Sequence, residues 1–224
     1  MPAPLTVILP TLNAAPMLGP TLASLYHGVD AGLIGELVFA DGGSTDDTAQ
    51  IADDVGARLV DSDPGRGTQL ATAARSVKTP WMLIVHADTE LSADWPRVVR
   101  HHITTSQKAG YFQLAFDSPS PAAKRTAGWA NLRSRLFGLP YGDQGLLIST
   151  SLYGSVGGYP DIPLMEDVAL VRKLRRQLVQ LPATATTSAA KYEQDGYLKR
   201  GSKNLLTLGK YLLGASPETL AKKY

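Results

Sequence analysis

The sequence predicts an α/β protein: a mainly parallel central sheet with helices on both faces and a C-terminal helical tail. Three observations carry that expectation. Through the first 90 residues, short apolar or β-branched runs alternate with helix-like segments, the pattern of repeated strand–loop–helix units. Those runs are apolar on both sides rather than alternating, as strands are when helices cover both faces of a sheet. The last third is basic and amphipathic, and Lys203 to Leu213 reads as a helix.

Each element follows from its local pattern. Thr6-Val7-Ile8-Leu9, closed by Pro10, is a buried strand. Ala14 to Tyr26 places Met17, Leu18, Leu22 and Leu25 at helical spacing. Leu37-Val38-Phe39-Ala40 is a second strand; the turn cluster Asp41-Gly42-Gly43-Ser44 ends it, and Thr45 to Val55 reads as helix. Arg58 to Asp61 is a third strand, followed by Pro64-Gly65-Arg66-Gly67 and an alanine-rich helix from Thr68 to Val77. Trp81 to Val85 is a fully apolar fourth strand ending at His86-Ala87-Asp88. Farther on, Tyr111 to Phe116 alternates like a strand and Lys124 to Phe137 reads as a basic amphipathic helix. Gly142-Asp143-Gln144 precedes an apolar run, Gly145 to Ile148. Met165-Glu166-Asp167 opens a helix expected to reach about Leu181, with Val168, Val171, Leu174 and Leu178 on one stripe. No repeat, low-complexity tract or linker divides the chain, so residues 1–224 read as one domain with a helical tail.

Composition narrows the chemistry. The 224 residues contain no cysteine, which excludes disulfides, thiolate metal sites and cysteine nucleophiles. Twenty-two Lys and Arg against 20 Asp and Glu leave a formal charge of +2, without the basic excess of a nucleic-acid binder. Met1 to Pro10 has no basic start of a secretory signal, and no apolar run approaches the roughly 20 residues that span a bilayer, so the expected location is cytoplasmic. There is no phosphate-loop Gly-x-x-x-x-Gly-Lys, no His-Glu-x-x-His and no Gly-x-Ser-x-Gly, which lowers ATPase, zinc-protease and serine-hydrolase readings.

Sheets of this class bind ligands outside the carboxyl ends of their strands. Here those ends carry Asn13, Asp41, Arg66, and His86 with Asp88. Each has a plain structural reading and a functional one. Asp41 to Ser44 is either a turn with a helix cap, or a carboxylate facing a ligand donor with glycines allowing close approach. Gly65-Arg66-Gly67 is an ordinary loop, or an anion site made by a helix N-terminus and a guanidinium. Asp88 is a cap, or a partner for a divalent cation bridging a diphosphate; His86 is a structural histidine or a ligand to such a metal. Glu166-Asp167 complements the helix dipole, or supplies a general base.

In combination, these stretches resemble the inverting family 2 glycosyltransferases of the GT-A fold. The residues that carry the resemblance are Val7 to Asn13, Leu37 to Thr48, His86-Ala87-Asp88-Thr89 and Met165-Glu166-Asp167. Pro64 to Leu70 and Leu213 to Glu218 look like a compact bacterial subfamily labelled arsenosugar-type glycosyltransferases. The resemblance implies a GT-A-like fold with a nucleotide-binding half over 1–90, an acceptor and catalytic half over 91–200, and a basic helical tail over 201–224. It implies that Pro10, Thr11, Asn13 and Gly43 border the nucleotide pocket and that Asp41 binds the base and ribose. It further implies Arg66 near the phosphates, Asp88 at a metal-bound diphosphate (Mg²⁺ or Mn²⁺), and Asp167, beside Glu166, deprotonating the acceptor hydroxyl. The activity implied is inverting transfer of a hexosyl-type sugar from a nucleotide sugar, a UDP-sugar first, to a small-molecule or lipid-linked hydroxyl. Two departures stand out: His86 replaces the first aspartate of the family's Asp-x-Asp motif, and Tyr192-Glu193-Gln194 does not continue into Gln-x-x-Arg-Trp, which argues against processive polymerisation. A nucleotidyltransferase of similar architecture and a non-catalytic nucleotide-sugar-binding protein are the alternatives. The basic residues Lys124, Arg125, Arg133, Arg135, Lys199, Arg200, Lys203 and Lys210 read either as solvated faces or as a peripheral membrane contact.

Overall fold

The structure is a computed structural model and describes residues 2–222. Its elements in chain order are β1 (Leu5–Thr11), α1 (Leu18–Asp30), β2 (Ile34–Asp41), α2 (Thr48–Asp54), β3 (Arg58–Asp61), α3 (Arg66–Arg75), β4 (Trp81–Ile84), β5 (Thr89–Leu91) and α4 (Trp95–Thr105). Then come β6 (Ala109–Phe116), α5 (Pro121–Phe137), β7 (Leu146–Ser149), α6 (Thr150–Ser155), α7 (Glu166–Leu174), β8 (Leu178–Thr187), α8 (Ala190–Asp195), α9 (Tyr197–Leu212) and α10 (Pro217–Ala221). One sheet runs in the order β3-β2-β1-β4-β7-β6-β8-β5. The block β3-β2-β1-β4 is parallel throughout, as is the β6–β8 pair, while β4–β7, β6–β7 and β8–β5 are antiparallel.

Successive side chains of a strand point to opposite faces, so a strand apolar at every position feeds two cores. Leu5, Val7 and Leu9 enter one cluster with Phe39, Leu83 and the fully buried Trp95, covered by α1 and α4. Ile8 enters the other with Val38, Met82 and Ile84, covered by Leu70 and Ala73 of α3 and Leu170 and Leu174 of α7. Helices therefore cover both faces, as expected.

Pro10 does not end the first strand, which continues to Thr11. The reason is register. The Ile8 carbonyl accepts from Val85 N–H at 3.1 Å, so even-numbered residues of β1 face β4. The β4 pairing stops at Ile8, whereas the β2 pairing continues to Thr11. Pro10 thus faces a side where β4 has already ended, and its missing N–H interrupts no ladder.

Of the other boundaries that differ from those expected, three bear on the site. The second helix starts at Thr48 rather than Thr45, because the intervening residues are held in a side-chain clasp described below. The helix opened by Glu166 ends at Leu174, and Leu178 begins β8 instead of continuing the helix. Its buried positions Leu181, Ala183, Ala185 and Thr187 repeat every second residue, so the period changes from helical to extended at Leu178. The last long helix begins at Tyr197, inside the expected catalytic half; residues 223–224 of the expected tail lie outside the described residues. Among the described residues no helix is long and apolar enough to cross a membrane.

Candidate functional site

The carboxyl ends of β1, β2 and β4 lie together, and the sequence-derived residues meet there in two groups. The first is a clasp between the β1 and β2 ends. Asp41 is 4% exposed, and its carboxylate accepts four hydrogen bonds: from Thr11 Oγ1 (2.8 Å), Ser44 Oγ (2.6 Å), Gly43 N–H (2.9 Å) and Ser44 N–H (2.7 Å). Burial pushes its pKa up, but the bonds from Ser44, Thr11 and Gly43 outweigh it and the net value lies below the usual range. Gly43 sits at φ +90°, a conformation that glycine adopts without the penalty a side chain incurs. Asn13, itself left-handed at φ +50°, accepts from Thr45 N–H through Oδ1 at 2.8 Å and donates its backbone N–H to Ser44 Oγ at 2.8 Å. Asp46 completes the clasp by accepting from Ala15 N–H and from the Thr48 hydroxyl, and these bonds, Thr48 first, lower its pKa. Gln69 of α3 donates to the carbonyls of Thr11 and Ala40 at 2.7 and 2.8 Å, pinning α3 to the same strand ends.

The second group surrounds a cavity of about 220 Å³ lined by Arg66, His86, Asp88, Asp143, Glu166 and Asp167, with Lys191 and Arg200 from the far side. Met165, left-handed at φ +67°, turns the chain into α7 and sets Glu166 and Asp167 in its first turn. A non-glycine residue held there is strained, and such residues concentrate at functional sites. Asp167 accepts from Gly142 N–H through Oδ2 at 2.8 Å and from Val168 N–H through Oδ1 at 2.7 Å. Arg66, the first residue of α3, brings Nη1 to 3.6 Å from Glu166 Oε1, close enough to attract but too long for a hydrogen bond. Glu166 Oε1 is consequently a buried atom without a hydrogen-bond partner, and so is Asp143 Oδ1. Among the described residues, Asp88 has a single, long contact, from Thr187 Oγ1 at 3.5 Å.

Crowding these acids into one buried space shifts their protonation. Burial, reinforced by Asp167, raises Glu166 to about 7, with Arg66 opposing. Burial raises Asp143 to about 6 against the pull of Arg133. His86 moves well below its ordinary value, first through burial and then through Arg66 and Lys191, so at neutral pH its imidazole is uncharged and keeps a lone pair. His86 Nε2 lies against Gly142: a Cβ built there would sit 2.5 Å from it.

Arg66, His86, Asp88, Glu166 and Asp167 thus share one cavity. Thr11, Asn13, Asp41 and Gly43 form the adjoining clasp, and Pro10 is half-buried within the strand. Asp143, Lys191 and Arg200 are additions the sequence reading left out of the site. In the sequence Asp143 is only a turn residue before a strand, Arg200 is only a member of a basic helix, and Lys191 carries no signal of its own. No three His, Asp or Glu side chains converge as a ready-made metal cage among the described residues. The uncharged imidazole, the scarcely engaged Asp88 and the unpartnered Asp143 oxygen do fit a cation that arrives with phosphate oxygens of its own, since Mg²⁺ takes one or two protein carboxylates and completes its shell from substrate and water.

The family model described as glycosyl transferase family 2 matches residues 6–140. Among curated proteins, the chain is 38% identical over 105 residues to a PGL/p-HBAD biosynthesis glycosyltransferase of Mycobacterium bovis (strain BCG / Pasteur 1173P2), covering 41% of this chain and 38% of that protein. It is 34% identical over 96 residues to an uncharacterized glycosyltransferase of Mycobacterium bovis, covering 42% and 41%. The matches thus span about two-fifths of those relatives. Among solved structures, the fold is similar to glucosyl-3-phosphoglycerate synthase from Mycobacterium tuberculosis in complex with Mn²⁺, UDP and glucosyl-3-phosphoglycerate (TM-score 0.59, 20% identity, 82% of this chain and 70% of that one). It is also similar to S. aureus TarS 1–349 in complex with UDP (TM-score 0.61, 16% identity, 85% and 62%).

Proposed function

The chain belongs to glycosyl transferase family 2, and from that premise we propose that it moves a hexosyl group from a UDP-sugar to a hydroxyl acceptor, with inversion at the transferred carbon. The observation that carries the reading is the cavity itself. A carboxylate aimed by two backbone N–H groups, Asp167, shares it with Asp88, the uncharged His86 and the guanidinium of Arg66. The fold's likeness to structures solved with UDP and Mn²⁺ supports the choice of nucleotide and cation.

In this mechanism Asp167 accepts the acceptor's hydroxyl proton as the oxygen attacks the anomeric carbon. The bond from that carbon to the diphosphate oxygen breaks on the opposite side, and its electron pair leaves with the nucleoside diphosphate. Arg66 stabilises the charge that develops on the diphosphate. Asp88 and His86 are the residues that would hold a divalent cation, the imidazole favouring Mn²⁺ over Mg²⁺. When bound, such a cation would act as a Lewis acid on the leaving diphosphate. Glu166 holds Arg66 by charge. The clasp of Thr11, Asn13, Asp41 and Gly43, with Pro10 behind it, shapes the nucleotide pocket. Thr11 and Ser44 both give their hydroxyls to Asp41, so turning one away frees an acceptor position for a base N–H or a ribose hydroxyl.

The test is Asp167→Asn. Loss of a general base lowers turnover by roughly 10²–10⁴, while calorimetric UDP affinity, with and without Mn²⁺, stays unchanged. Full activity of the variant would remove the base assignment. Donor binding without turnover across UDP, GDP and dTDP sugars would make the chain a binding protein instead.

A further inference from the structure

The helix that lines one side of the catalytic cavity has an outer face left exposed by the described residues. Tyr197, Asn204 and Leu208 of α9 turn inward; Leu208 is buried and Asn204 borders the cavity. On the outer side Leu198 is 88% exposed, Leu205 65%, Leu206 63% and Leu213, just past its end, 91%. Leu198, Leu205 and Leu212 recur every seven residues and so share one stripe, while Lys199 and Lys210 lie with Leu206 and Leu213 on a second stripe farther round the helix. At the end of α9 that stripe runs into a groove of about 690 Å³, where Leu212 meets Leu136 and Phe137 of α5 and the guanidinium-bearing side chains of Arg135, Arg172 and Arg176.

The charge pattern selects the occupant. No acidic residue occurs between Asp117 and Asp143, which includes all of α5, or between Asp195 and Glu218, which includes all of α9. A face of exposed leucines and a phenylalanine bordered by Arg135, Arg172, Arg176, Lys199 and Lys210 is complementary to apolar chains beneath anionic headgroups. A second copy of the chain fits it poorly, because a two-fold contact would set Lys199 and Lys210 against the same cations of its partner.

We propose that the outer face of α9, continued by the groove at the end of α5, docks on an anionic phospholipid bilayer. The leucines enter the headgroup boundary, and a lipid phosphate is held among Arg135, Arg172 and Arg176. Because Arg200 and Asn204 of the same helix border the cavity, docking places the catalytic groups about one helix diameter, roughly 10 Å, from the membrane surface. This extends the glycosyl-transfer reading by giving the acceptor a place, at a lipid surface. The docking itself does not depend on which sugar is moved.

Flotation with phosphatidylcholine vesicles, with and without phosphatidylglycerol, tests the proposal separately from turnover. The full chain is expected to float with the phosphatidylglycerol vesicles at low ionic strength and not with phosphatidylcholine alone. Each cation at the surface contributes about fivefold in affinity, so the double variant Arg172→Gln/Arg176→Gln is expected to bind roughly 25-fold more weakly. Leu206→Gln with Leu213→Gln is expected to lose flotation while UDP-sugar hydrolysis in solution is unchanged, which also shows that the variant is folded. Absence of flotation by the unsubstituted chain would overturn the proposal. So would sedimentation as a dimer that the leucine substitutions dissolve, since the face would then belong to a second copy.

Discussion

At the scale of single residues, the site is a set of groups held away from their ordinary states. Glu166 titrates near 7 in the folded chain against an ordinary 4.5. Between those values the folded state holds a proton that the unfolded state has released, so stability falls as pH rises through the window and stays low above it. Replacing Glu166 by Gln removes that penalty. The melting temperature at pH 8 is expected to rise by roughly 5 °C and to change little near pH 4; an equal shift at both would mean that packing, not ionisation, sets the effect. Gly142 is a second such point. The 2.5 Å clearance between a built Cβ and His86 Nε2 leaves no room for a methyl group. Gly142→Ala is expected to displace the imidazole and weaken Mn²⁺-dependent UDP binding at least tenfold (about 1.4 kcal/mol), read by calorimetry with and without the metal. The sequence offered His86, Asp88 and Asp167 because they stand at strand and helix ends, where pattern reading looks first. It hid Asp143, because a lone aspartate in Gly142-Asp143-Gln144 looks like any turn; only its burial beside Asp88 and Asp167 sets it apart.

At the scale of elements, the site depends on how closely α3 approaches the chain leading into α7. Gly67, one residue past Arg66, faces the carbonyls of Pro160 and Ile162, and a Cβ there would lie 2.6 Å from both oxygens. Backbone cannot retreat as a side-chain tip can. Gly67→Ala is therefore expected to push the start of α3 outward, costing about 1–3 kcal/mol in urea denaturation. It should also raise the donor KM, because Arg66 moves with the helix. An unchanged KM would mean that Arg66 does not touch the donor. β1, β2 and β4 could be read from sequence because each carries a short apolar run buried on both faces, and the half-buried β3 because Leu59-Val60 takes its place in the repeating strand–helix pattern. β8 could not: Leu178 falls at the next position of the α7 stripe, and Pro182, Ala183 and Ala185 dilute the strand signal of its threonines. Its identity comes from pairing with β6 and β5, contacts that lie far away in sequence.

At the scale of the whole molecule, two regions of opposite charge divide a chain of formal charge +2. Four acids crowd the cavity, and the surfaces of α5 and α9 carry none. The parallel β3-β2-β1-β4 block was legible because each crossover is local, while the β7-β6-β8-β5 half is joined by long-range and partly antiparallel pairing that no window of sequence contains. The cavity lies where these halves meet, lined by Arg66, His86 and Asp88 from the first and by Asp143, Glu166 and Asp167 from the second. Four crowded acids and a strained Met165 make that junction costly without a ligand, so whatever binds there should stabilise the whole fold. UDP alone adds two more negative phosphates beside Asp88 and is expected to raise the melting temperature little. UDP with Mn²⁺ supplies the missing positive charge. At a hundred times its dissociation constant it contributes about 2.7 kcal/mol, or roughly 5–10 °C for a chain of this size. In Asp88→Asn the added effect of Mn²⁺ should vanish while that of UDP alone remains. An Mn²⁺ effect that survives this substitution would move the cation to other residues of the cavity, Asp143 first among them.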